Sequence, residues 1–241
     1  MALTAERTVR EIALENPASA RVFESLGIDY CCGGKIPLKD ACFRANVSPE
    51  SVLQLLDNLK EAAGQPEPEK WVDAPLSELT AHVVSRHHEY VRSNGPRLFA
   101  LLEKVKARHG STHPEIAAID RVFGDLYREL TTHMLKEEQV LFPFLNSMEV
   151  AANAGKPVPA AFFGSVENPI THMLSDHDDA GASLARISVL SNGYRTPPDS
   201  CPTFRALYHG LDEFERDLHR HVHLENNILF PRALEMEKAP R

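Results

Sequence analysis

At 241 residues the chain can bury one substantial core and still carry a small extra domain. Its formal charge of -8 argues against nucleic acid as a direct partner, and no apolar run reaches membrane-spanning length. The opening residues MALTAERTVREIALENP contain acids and lack a continuous apolar signal core, so a cytoplasmic protein is expected.

Four cysteines, with Cys31 and Cys32 adjacent and Cys42 and Cys201 solitary, are too few and too uneven for a disulphide framework. Thr8 and Glu11 have capping-box spacing and open a short helix through Leu14. Asn16 and Pro17 open another, with Val22, Phe23 and Leu26 inward and Gly27 at its end. The turn IDYCCGGKIP then holds the two thiols between short helices, where Gly33 and Gly34 permit backbone angles that other residues resist. Ser48 and Pro49 cap a further helix whose valine and leucines close this small core. Adjacent cysteines suit one structural zinc poorly, because its ligands are usually separated in sequence. Three readings of Cys31 and Cys32 stand: a redox-active or transiently metal-binding site, a contact point for a partner, or a buried thiol used as packing.

Residues 1–62 therefore read as a small cysteine-bearing helical domain. The proline- and charge-rich AAGQPEPEKWVDAP makes residues 63–74 a semi-stiff linker that Trp71 anchors. Residues 75–241 read as helices only. The first runs from about Pro75 to Arg108 with a kink at Gly95 and Pro96, and the second from Pro114 to about Met148. After NAGKPVPAAFFG, part of which packs through Phe162 and Phe163, Asn168 and Pro169 begin the third, which SNGYRTPPDSCP ends. The fourth occupies about Thr203 to Glu237. Four amphipathic segments with antiparallel connections give an all-α, up-down-up-down four-helix bundle.

Two stretches of this bundle repeat each other. LTTHMLKEEQVLFPFL at 130–145 and LHRHVHLENNILFPRAL at 218–234 each carry a histidine followed four residues later by a glutamate, His133 with Glu137 and His221 with Glu225. That spacing puts both side chains on one helix face. In the first copy the face continues through Phe123, Leu126, Leu130, Val140, Leu141 and Phe144; in the second, through Leu211, Phe214, Leu218, Ile228 and Leu229. Glu215, Arg216, His223, Asn226 and Asn227 fall on the opposite side as a wet face. His88 stands in a stripe of Ala81, Val84, Val91, Gly95, Leu98 and Leu102, and His177 in one of Ile170, Met173, Leu174, Leu184 and Ile187. A carboxylate buried in such a stripe costs several kcal/mol unless neutralised or metal-bound. Mixed imidazole and carboxylate donors suit iron or manganese. Glu138, Asp176, Asp178 and Asp179 stand beside the ligands, as supporting groups or an iron path, or as a solvated acidic face. The same alternatives stand for His82, His87, His172, His209, His219 and His223, of which only those turned inward can matter.

The words DYCCGGK (29–35), RHHE (86–89), HMLKEEQVLFP (133–143), SDHDDAG (175–181) and HVHLENNILFPRAL (221–234) occur in one order. In them the chain resembles the di-iron iron-sulphur cluster repair proteins (repair of iron centres, ScdA-type), over nearly its whole length. Asp176 stands where a glutamate is expected in that family, and His87 where another aromatic is usual. The resemblance implies a hemerythrin-like bundle holding two iron ions with an oxo or hydroxo bridge. His88, His133, Glu137, His177, His221 and Glu225 would be the metal ligands, with Cys31 and Cys32 as functional thiols. Four imidazoles, two bridging carboxylates and a single-atom bridge leave one position open on each octahedral iron, for nitric oxide, oxygen or water.

Repair of damaged iron-sulphur proteins, nitric oxide reduction, and nitric oxide binding, sequestration or sensing would all use those open positions. The helix pattern does not choose among them. The implied partners are damaged iron-sulphur proteins and a small gaseous ligand, with neither nucleic acid nor membrane. Nothing in the pattern fixes the oligomeric state, a homodimer included.

Overall fold

The computed structural model describes residues 3–16, 19–30, 34–62 and 71–238. Its helices are α1 (Val9–Glu15), α2 (Ser19–Leu26), α3 (Leu38–Ala45), α4 (Pro49–Ala62), α5 (Leu76–His82), α6 (Glu89–His109), α7 (Glu115–Lys136), α8 (Phe142–Asn153), α9 (Glu167–Leu190), α10 (Pro202–Leu224) and α11 (Phe230–Lys238). Three π-helical segments are spliced in: π1 (Val83–His88), π2 (Glu137–Leu141) and π3 (Glu225–Leu229). Among the described residues the only β pairing is two isolated bridges, so the fold is all-α. No helix among them is long and apolar enough to cross a membrane.

The chain divides into two compact units, residues 1–75 with 219–232, and residues 76–218 with 233–241. In the first, the Thr8 side chain accepts from Glu11 N at 3.2 Å and Glu11 accepts from Thr8 N at 2.9 Å, the capping box that starts α1. The next two donors of α1 are satisfied from a distant segment: Val9 N donates to Ile36 O and Arg10 N to Gly34 O. Phe23, Tyr30, Leu38, Cys42, Val52 and Leu56 pack as its core. Gly34 is needed for close approach, since a Cβ there would lie 2.4 Å from the Tyr30 carbonyl oxygen. Both described neighbours of the thiol turn are thus fixed, while Cys31, Cys32 and Gly33 lie outside the described residues, as does 63–70 of the expected linker. Trp71 is tied through its carbonyl, which accepts from Arg232 at 2.9 Å.

The end of α10 and the π3 segment depart from expectation. His223 and Asn227 are buried, not wet. Tyr30 covers His223, its ring 5.4 Å from that of His223 and 6.4 Å from that of His219, and Asn227 pairs with His223 Nδ1 at 2.7 Å. Read on its own, the helix showed a polar face; the amino-terminal residues supply the cover that its pattern could not announce.

In the second unit α6 continues through Gly95 and Pro96, the position of the expected kink. Gly95 is there for contact: a Cβ would stand 2.0 Å from the Tyr127 ring, so glycine lets α6 and α7 close together. Aromatic contacts Phe99–Phe123, Phe123–Phe214 and Tyr90–Phe214 join α6, α7 and α10. The repeat extends to capping. Glu149 accepts from Leu76 N and Ser77 N at the start of α5, and Glu237 accepts from Val166 N and Ser165 Oγ at the start of α9. These two carboxylates follow Glu137 and Glu225 at the same interval in the chain. Phe163 packs against Phe144, whereas Phe162 is 89% exposed.

Candidate metal centre

Each glutamate of the repeat begins a π segment. Phe142 N donates to Glu137 O and Phe230 N to Glu225 O, bonds that span five residues instead of four. The cause stands just downstream. Proline in a helix lacks the N–H and presses on the carbonyl four residues back. Pro143 and Pro231 occupy that place in both copies, and the widened turn relieves the clash.

A π turn takes up one extra residue and rotates everything beyond it. After Glu137 the buried positions are Leu141, Phe142, Leu145 and Met148, while Val140 and Phe144 are only partly buried. Before His88 they are Leu76, Leu79 and Val83, with Ala81 exposed and Val84 half-buried. Both stripes read from strict α spacing are therefore off by one residue on the far side of the π segment. Burying a leucine or phenylalanine is worth about 1.5–3 kcal/mol, so two or three such side chains outweigh a locally poorer hydrogen-bond ladder. For π2 and π3 the proline in the repeated LFP words was the available signal; π1 has no such proline after it. The α9 stripe, with no π segment, keeps its register: Ile170, Met173, His177, Leu184 and Ile187 are buried, and Leu174 is partly buried.

The six expected ligands are all buried, between 0 and 2% exposed. Glu137 faces two imidazoles at once: Oε2 lies 3.3 Å from His88 Nε2, and Oε1 lies 3.3 Å from His133 Nε2. His177 Nε2 is 3.0 Å from His133 Nε2, and Glu225 Oε1 is 3.1 Å from His221 Nε2. Ligand atoms of His88, Glu137, His221 and Glu225 lie within 4.8 Å of one another, and so do those of His133, Glu137, His177 and Glu225. Both glutamates belong to both groups. Converging nitrogen and carboxylate donors in an apolar setting fit hard or borderline cations, and two adjoining groups sharing two carboxylates fit a pair of them.

The far sides of two histidines are held by acids. His88 Nδ1 is 2.6 Å from Glu138 Oε1, which also accepts from Arg92 at 2.5 Å; His133 Nδ1 is 3.1 Å from Asp176 Oδ2, which also accepts from Lys136 at 3.1 Å. Burial pushes both carboxyls up, but the hydrogen bonds and positive charge of their partners outweigh it, and both sit below their ordinary values. A carboxylate at Nδ1 fixes the proton there and leaves the Nε2 lone pair for the metal. Asp178 and Asp179 are exposed and take no part in this support. His87, left open in the sequence, turns inward and is buried with Nδ1 3.1 Å from Asp217 Oδ2, a pairing that sequence inspection missed.

Residues 79–233 match the family model described as "Hemerythrin HHE cation binding domain", and residues 5–60 match ScdA_N, a "Domain of Unknown function (DUF542)". The chain is 34% identical over 233 residues to "Iron-sulfur cluster repair protein YtfE" of Pectobacterium atrosepticum, covering 96% of this chain and 98% of the relative. It is 35% identical over 229 residues to the protein of that name in Escherichia coli, covering 95% and 97%. To "Probable iron-sulfur cluster repair protein" of Haemophilus influenzae it is 33% identical over 230 residues, again covering 95% and 97%. With its stacked donor helices, paired glutamates and end-to-end likeness to these proteins, the chain belongs to the ScdA/YtfE family, whose bundle is of the hemerythrin type.

Proposed function

We propose that this is a cytoplasmic di-iron protein that restores iron-sulphur clusters damaged by nitric oxide or peroxide. The observation that carries the di-iron reading is Glu137, fully buried with each carboxylate oxygen against a different imidazole. Glu137 and Glu225 would bridge two irons, and His88, His133, His177 and His221 would complete the protein ligands. Bound there, the iron pair supplies exchangeable positions for nitric oxide, oxygen or water and a store of ferrous iron. The chain's own residues do the rest. Glu138 and Asp176 hold two imidazoles in the ligating tautomer, and the apolar stripes keep bulk water from the donors.

The repair role follows the names of the relatives. Residues 1–62 act in this reading as a separate domain joined by the 63–74 linker, with Cys31 and Cys32 passing electrons, capturing released iron or shaping the surface that meets a damaged iron-sulphur protein. The deciding experiment adds nitric oxide anaerobically to the reduced protein and follows three quantities together: iron retained, nitrous oxide released, and recovery of a damaged cluster enzyme. Recovery with iron leaving the protein supports donation. Nitrous oxide with full iron retention and no recovery would overturn repair in favour of nitric oxide reduction, and bound ligand with neither would leave a binding protein.

A further inference from the structure

Two adjacent histidines, His87 and His88, are both buried. Neighbours on a regular α-helix point about 100° apart, so one continuous stripe favours only one of them. The stripe changes register inside π1. Carried on from Leu76, Leu79 and Val83, α spacing arrives at His87 and turns His88 aside; the downstream stripe of Val91, Gly95, Leu98 and Leu102 is the one in which His88 stands. The backbone is widened to match, since Glu89 N donates to Val84 O, a bond that spans five residues, as well as to Arg86 O. At π2 and π3 a proline explains the widening. Here the next proline, Pro96, presses on the Arg92 carbonyl, beyond the segment. What π1 has instead is a tie to another helix. His87 Nδ1 lies 3.1 Å from Oδ2 of Asp217, a buried residue of α10, and Arg86 Nη2 approaches Oδ1 at 3.9 Å. The seam continues with Tyr90, three residues on, against Phe214, three residues back, their rings 6.2 Å apart.

We propose that Asp217 is a positioning residue for the metal centre: by drawing His87 to α10 it holds π1 open, and so makes His88 rather than His87 the imidazole that faces the metal. A π turn has the poorer hydrogen-bond ladder and persists where something outside the helix holds it. A hydrogen bond to a buried carboxylate is among the stronger kinds, and the carboxylate is costly to leave without it. Were π1 to close to an α turn, Leu76, Leu79 and Val83 would keep their places, His87 would come round toward the donor position, and His88 would turn away. Asp217 thus differs from Glu138 and Asp176, which hold ligating imidazoles directly; it acts through a histidine outside the ligand set. Its effect is also confined to one cation. His88 belongs to the group with Glu137, His221 and Glu225, and not to that of His133, Glu137, His177 and Glu225. Losing the tie weakens one of the two metal-binding steps and spares the other.

The inference rests on the di-iron reading of the ligands and not on repair. Ferrous iron is titrated anaerobically into the metal-free full chain and followed by calorimetry, and the same metal-free samples are melted. The wild type should take up two irons; fewer would overturn the ligand reading, and the role of Asp217 with it. Given two, Asp217→Leu and His87→Leu should each weaken one step about 10-fold or more, the step that His88→Ala abolishes, and leave the other within about twofold. The double variant should lose no more than either single one, because both remove the same bond. Asp217→Asn keeps an oxygen to accept from Nδ1–H and should recover most of the affinity. Two wild-type steps in Asp217→Leu, or additive losses in the double variant, would overturn the assignment. So would both steps weakened alike together with a lower midpoint of the metal-free chain, which would make Asp217 a structural tie only.

Discussion

Helix α9 and the α7–π2–α8 rod both bring ligands into one bundle, but by different means. In α9 a single α spacing runs from Ile170 through His177 to Ile187, and every turn meets the core in step. In the other rod the step holds from Phe123 to Glu137 and then slips by one residue, so that Leu141 and Leu145 take the places that Val140 and Phe144 would have filled. The difference teaches where the carboxylates come from. A helix that offers one imidazole can stay regular; one that offers an imidazole and a glutamate proposed as a bridge is widened at the glutamate, with a proline one and a half turns on.

This comparison can be broken by deletion. Removing exposed Asp179 from α9 rotates Leu184 and Ile187 out of the core by about 100° and should unfold the bundle, a loss larger than the ~2–5 kcal/mol of one large core truncation. Removing exposed Gln139 should convert π2 to an ordinary α turn while leaving Phe142 and Leu145 in place. The chain should then stay folded by circular dichroism and thermal melting but bind less iron. Equal unfolding by both deletions would show that the π turn is not the spare residue inferred here.

Next in size are Glu137 and Glu225, the acids proposed as bridges. Glu137→Gln and Glu225→Gln should each lower iron per chain and disturb the absorption of the bridged centre. The metal-free protein should melt below the iron form, because burying two carboxylates unneutralised is costly. Unchanged metal content and spectrum in both variants would remove the bridging roles, and equal midpoints with and without iron would remove the coupling of metal to folding.

Smaller still are the supporting acids. Glu138→Gln and Asp176→Asn, which leave all six ligands in place, should cost about 10–100-fold in iron affinity, the usual effect of losing the group behind a ligating histidine. Asp178→Asn, one residue beyond His177 but exposed, should cost nothing measurable in an equilibrium iron titration. A loss in that variant equal to the loss at Asp176 would mean that acidity near the site matters rather than the bond to His133.

Legibility in the sequence followed the same division. Apolar period and matched histidine-glutamate spacing revealed the helices and the six buried donors, because a polar residue inside an apolar stripe stands out in a single segment. Which neighbours support the donors was not visible in that way. Glu138 and Asp176 differ from Asp178 and Asp179 only by which side of the helix a partner occupies, and Arg92, Lys136 and Asp217 enter through contacts between distant segments. His223 and Asn227 read as solvated because Tyr30, far away in sequence, covers His223. The π shifts were written in the chain, in Pro143 and Pro231, but only as a repeated violation of helix preference.

The smallest expected effect lies at the opposite end of α7, where no π turn intervenes and no ligand is near. His113 precedes the helix, with Nδ1 2.8 Å from Glu115 and Nε2 3.2 Å from Asp199, and its ring lies 6.1 Å from that of His109 and 5.0 Å from that of Phe204. Burial pulls the imidazole pKa down, but the hydrogen bonds and charges of Glu115 and Asp199 more than offset it, leaving it above the ordinary value. A histidine whose folded pKa exceeds its unfolded one contributes stability that is complete below about pH 6.5 and disappears as pH rises through the folded value. Thermal melts of the iron-loaded protein should therefore show a shallow fall in midpoint above pH 6.5. Asp199→Asn should flatten that fall without altering iron content. Asp199 itself is held below its ordinary value, with the bond to His113 as the main cause, so its own contribution is lost only as pH falls below about 4 and does not enter this window. A steeper fall in the variant, or loss of iron with it, would show that this end of α7 is coupled to the metal end and not merely fastened at its start.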